Sequence, residues 1–119
     1  MTDASMSAAA PLRGVTVVEV ASAPGARYCG RLFSILGARV VRVAMASAVL
    51  AGGEGAAAFE LWLNEGKSEA ASLEAALAAL DGAPQVIIAG QDRALVSDVD
   101  ASIEAHGLDV LRLALTWFG

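Results

Sequence analysis

Cys29 and His106 are the side chains best suited to nucleophilic or general-base chemistry, and the 119-residue chain has one of each type. A reactive thiolate needs a base or a positive neighbour, and the sequence sets no histidine or acid beside Cys29. With Leu32, Phe33 and Leu36 it falls at i, i+3, i+4 and i+7, the apolar face of a helix. His106 precedes Gly107 at the end of a helical stretch, where an imidazole caps terminal carbonyls. No Ser-His-Asp set can be assembled. Asp98, Asp100, Glu104 and Asp109 read as a solvated helix face and its exit, not as a paired carboxylate site. One cysteine and one histidine also exclude a structural zinc site and a disulfide framework.

Phosphate chemistry would fall in the loop after the first strand, which reads ASAPGARYCG from Ala21. A dinucleotide fingerprint needs G-x-G-x-x-G there, and a P-loop needs Lys-Ser or Lys-Thr after its last glycine. Gly25 and Gly30 have the P-loop spacing, but Arg31 and Leu32 follow. A phosphoacceptor site would need a pair of acids, and Glu19 stands alone, read as pointing away from the crevice. Arg27 lies in the first turn of a helix, where the dipole disfavours a cation. Two readings stay open for it: contact with a phosphate or carboxylate, or an exposed, solvated charge.

These residues are carried by alternating elements. Residues 1–10 read as a disordered lead-in, and residues 11–119 as a single domain. The β-branched run Val15–Val20 predicts a strand buried on both faces. Arg27–Leu36 predicts a helix stopped by Gly37, and Val40–Val43 a second strand. Met45–Ala58 reads as a glycine-containing loop that becomes helical near Ala56–Leu63, and Asn64–Lys67 as a turn. Ser72–Leu80 predicts a helix with Ser72 as N-cap and Asp81-Gly82 as its stop. Val86–Ile88 predicts a third strand, Asp92–His106 a helix and Val110–Leu115 a fourth strand. Trp117 and Phe118 read as core residues at its end. The expectation is an α/β domain with an open, mainly parallel sheet of four to five strands flanked by helices, built from Rossmann-like βαβ units. Ligands of such sheets bind beyond the carboxyl ends of the strands.

Composition narrows the function classes. Hydrophobic residues make up 56% of the chain and charged ones 18%, which excludes intrinsic disorder. A net charge of −5 argues against nucleic-acid binding. No apolar run approaches the roughly 18 to 20 residues of a membrane helix. The first ten residues lack the basic start and apolar core of a signal peptide, so a cytoplasmic location is expected. A mean hydropathy of +0.59 is high for a small monomer and points to self-association.

Three blocks of the sequence resemble the family III CoA-transferases. Pro11–Val43, PLRGVTVVEVASAPGARYCGRLFSILGARVVRV, resembles the family's opening strand, loop, Y-C-G-R-L helix and second strand. Leu63–Lys67, LNEGK, resembles its L-N-x-x-K block, and Leu115–Gly119, LTWFG, its I-T-G-F-G-like strand end. The chain departs from the pattern at Ala26-Arg27, where the family has Gly-Pro, at Ala44, where it has an acid, and at Ser68, where it has a base. It departs again at Ala89–Asp92, where the family has an acid-Asn-Phe-Arg block, and at Trp117.

The resemblance implies coenzyme A or an acyl-CoA as ligand. Ala23 corresponds to a loop position whose backbone approaches CoA. Arg42 follows the basic position of the second strand. Asn64 and Lys67 fall in the block nearest the nucleotide end, and Arg27 lies in the helix between. Lys67 is the one lysine of the chain. Its two readings are pairing with a CoA phosphate and a solvated turn residue. The family's catalytic aspartate lies beyond the last matching block. The expected function is therefore the CoA-site segment of a CoA-transferase-like protein, inactive alone, partnered by a complementary C-terminal segment or by further copies of itself. The alternative is a stand-alone, non-catalytic binding or self-association module with the same fold.

Overall fold

The computed structural model describes residues 10–44, 55–81, 84–90 and 93–115. Nine elements alternate along it: β1 (Thr16–Ala21), α1 (Pro24–Ile35), β2 (Arg39–Val43), α2 (Ala56–Asn64), β3 (Lys67–Ala70), α3 (Leu73–Ala79), β4 (Val86–Gly90), α4 (Arg93–Ala105) and β5 (Leu111–Ala114). The strands form one all-parallel sheet in the order β3-β2-β1-β4-β5. This is the expected α/β class, with its order reversing between β1 and β4. Residues 1–9 of the expected lead-in, Gly52, Gly53, Gly82, Gln91-Asp92, Trp117 and Phe118 lie outside the described residues.

The β-branched runs become the central strands because both of their faces are covered. Val18, Val20, Val41, Val43, Ile87 and Ala89 pack against Ala76 and Leu80 at α3 and against Val99 and Ile103 of α4. On the opposite face Val17, Ala21, Val40, Val86 and Ile88 pack under Ala26, Cys29 and Phe33 of α1. The Ser72 hydroxyl accepts a hydrogen bond from the Ala75 N–H at 3.1 Å and starts α3, as its position predicts. Gly37, at φ +100°, ends α1 in a Schellman arrangement. Its N–H bonds the Ser34 carbonyl, and the Ala38 N–H bonds that of Phe33, both at 3.0 Å.

Three expectations need correction. The segment read as a turn at Asn64–Lys67 leads directly into a fifth strand, β3, whose sequence KSEA lacks apolar alternation because it is a charged edge. Helix α1 begins three residues earlier than predicted, with Pro24 at its first position, where proline is tolerated. The face of α1 on the sheet is also rotated. Ala26, Arg27 and Gly30 are buried, whereas Leu32 and Leu36 are 42% and 41% exposed. Small side chains at Ala26 and Gly30 let the helix lie close to β1 and β4, and hydropathy periodicity does not register that advantage.

Candidate functional site

β1 places Glu19 under α1, flanked in register by Arg42 of β2, which is itself flanked by Glu69 of β3. A row of alternating charge therefore crosses three strands. A carboxylate inside a strand covered on both faces must be paired. Lys67, at the start of β3, donates from Nζ to Glu19 Oε1 at 2.6 Å and to the Arg27 carbonyl at 2.9 Å. Both side chains are essentially sealed, at 0% and 1% exposure. Gly30 makes the space: a Cβ there would overlap Glu19 Oε1.

Arg27 extends the network to α2. Its Nη2 donates to Glu60 Oε2 at 2.5 Å and to Asn64 Oδ1 at 3.2 Å. Around the edge, Arg31 Nη2 donates to Glu65 Oε2 at 3.1 Å, and Arg42 pairs with Glu69 at 2.8 Å. The Arg31 guanidinium also lies 4.9 Å from the centroid of the Trp62 ring.

The electrostatics follow from burial. Loss of solvent pushes the Glu19 carboxyl up and the Lys67 ammonium down; their mutual attraction opposes both shifts without overcoming them. Burial, then the nearby Glu19 charge, pushes the Cys29 thiol up, away from the thiolate a nucleophile needs. His106 Nδ1 lies 2.8 Å from the Ser102 carbonyl oxygen at the end of α4, the helix-end position its sequence context predicts.

Three of the five candidate positions come together, since Arg27, Asn64 and Lys67 belong to one buried network. Arg42 is half-buried beside it. Ala23 stands apart, as the N-cap of α1 just past the carboxyl end of β1, with extended backbone and no side-chain cap. Three readings are corrected here. Arg27 is 1% exposed, not solvated. Lys67 is a strand residue facing a carboxylate, not a turn residue facing water. Glu19 is corrected as well, because it anchors the network instead of standing alone. Glu60 was not legible from its surroundings in the sequence. Glu19 had a signal, since an acid inside VTVVEV demands a cation and the chain has one lysine.

At the opposite, amino end of the sheet a hollow of about 510 Å³ is lined by Gly14, Thr16, Gln85, Gly107 and Asp109 among others, and among the described residues that line it Asp109 is the one acid or base. Among the described residues, no group of three His, Cys, Asp or Glu side chains is placed to hold a metal ion. No helix among them is long and apolar enough to cross a membrane. Comparisons of the chain with family models, with curated proteins and with solved structures returned no match.

Proposed function

We propose that the chain is the coenzyme A-proximal segment of a family III CoA-transferase-like protein, supplying part of a CoA or acyl-CoA surface and no catalytic group. The observation that supports this reading is the joining of two of the three blocks that carry the resemblance. Glu19, Arg27 and Gly30 come from the first, Asn64 and Lys67 from the second, and they meet in one buried network. In this reading the network holds the β1–α1 loop in place, and the ligand lies outside it. The sheet order puts that loop at the β1/β4 switch point, where α/β domains hold ligands. A CoA phosphate would meet the first turn of α1 near Gly25, which is open to close approach.

Ala23→Asp tests this without threatening the fold. Aspartate is a favoured N-cap and should raise unfolding stability by about 1 kcal/mol. Its carboxylate would also occupy the N–H groups a phosphate needs and repel it. Isothermal titration of the chain with CoA is expected to show saturable binding that Ala23→Asp abolishes. Absence of binding up to millimolar CoA, or binding unchanged by Ala23→Asp, contradicts the reading.

A further inference from the structure

The outer surface of α1 and α2 is apolar where a solvent-facing helical layer is normally polar. Tyr28, Leu32, Ile35 and Leu36 form a stripe at i, i+4, i+7 and i+8 along α1 and its C-cap, and are between 41% and 48% exposed. On α2, Phe59 is 41% and Leu61 74% exposed. Trp62 joins the two helices, its ring 5.5 Å from that of Tyr28 and stacked at 6.2 Å on that of Phe59. Leu61, Trp62, Asn64 and Glu65 line an open groove of about 560 Å³ beside them. Among the described residues, Leu111 is the only other large apolar side chain exposed to this degree.

We infer that this face docks against the same face of a second copy of the chain, α1 and α2 packing on α1 and α2 across a two-fold axis. Three observations select that occupant. The first is area. If a fully exposed side chain of this size offers roughly 200 Å², the six side chains leave about 580 Å² of apolar surface. An ordinary two-copy interface buries about 800 Å² per partner, of which about 65% is apolar in homodimers. The second is rim charge. Arg31 and Glu65 pair with each other at the edge of the face, so this part of the rim carries both signs and adds no net charge that would repel a second copy across a two-fold axis. The third is the placement of the remaining charge. The chain's net charge is −5, and Glu74, Asp98, Asp100 and Glu104 lie on α3 and α4, across the sheet. Docking through α1 and α2 keeps those acidic faces outermost and apart.

The inference holds whether or not CoA binds, and its test does not depend on CoA. Sedimentation equilibrium of the 119-residue chain is expected to show a dimer dissociating in the micromolar range. Leu32→Glu puts a carboxylate in the middle of the stripe at an exposed helical position that tolerates glutamate. It should weaken the dimer about 30-fold or more, the loss expected of a central interface residue. Leu111→Glu, outside the face, should leave it unchanged. Far-UV circular dichroism and thermal unfolding establish that each variant is folded, and Leu61→Glu serves if Leu32→Glu is not. A chain that stays monomeric across this range overturns the inference. So does a dimer that survives both α1 and α2 substitutions, or one that Leu111→Glu dissolves.

Discussion

The two helical layers cover the same sheet with opposite materials. On one side, α3 and α4 bury Ala76, Leu77, Val99 and Ile103 and turn Ala75, Ala78, Ser97, Asp98 and Glu104 to solvent. On the other side, α1 and α2 enclose Glu19, Lys67 and Arg27 and turn Tyr28, Leu32, Ile35 and Phe59 outward. The first layer needs only hydrophobic burial, which is non-directional and tolerates exchange of similar volumes. The second depends on hydrogen-bond geometry, because each charge inside it is stable only while its partner is present. What differs is therefore specificity: the charged layer locks the β1–α1 loop to β3 and α2, and its exterior leaves large apolar side chains exposed.

A large single-site effect that would break this contrast belongs to Gly30→Ala. On an ordinary helix the change is favourable by up to about 1 kcal/mol. Here the new Cβ displaces the Glu19 carboxylate from Lys67, and breaking a buried pair costs about 3–5 kcal/mol. A net loss of about 3 kcal/mol in urea unfolding is expected; a gain would show that the network does not constrain α1.

Smaller changes sharpen the contrast through pH. Ile103→Val, in the apolar layer, should lower stability by about 1 kcal/mol, and by the same amount at every pH. Glu19→Gln should instead change the shape of the profile. Burial holds Glu19 above its ordinary 4.5, so its contribution is fully present below that pH and is lost as pH rises through the folded-state value. Lys67 is held below its ordinary 10.5, so its contribution is present above that pH and is lost as pH falls through its own folded-state value. Urea midpoints across the acidic range should therefore lose their Glu19-dependent decline in Glu19→Gln and keep it in Ile103→Val. Parallel profiles for the parent and Glu19→Gln would contradict this.

Most of the apolar layer was legible in the sequence. Val15–Val20 and Val86–Ile88 announce buried strands, Ser72 announces a cap, and Gly37 and Gly107 announce helix ends, because each signal is local. The charged layer was not. Glu19 and Lys67 are separated by 48 positions, and no spacing rule pairs them. Strand β3 escaped notice because an edge strand with charged residues has no hydrophobic period. The orientation of α1 was misread because Leu32 and Leu36 carry more hydropathy than Ala26 and Gly30, although only the small pair fits against the sheet.

The account turns on whether the Glu19–Lys67 pair is sealed scaffolding or an available cation beside a ligand surface. Urea unfolding of Lys67→Met, Glu19→Leu and the double variant decides between them. Sealed scaffolding predicts that each single change costs about 3–5 kcal/mol, by leaving one buried charge alone, while the double variant falls within about 1 kcal/mol of the parent or above it. Single changes that each cost less than about 1 kcal/mol, as a solvated pair would, contradict it and return Lys67 to the ligand surface.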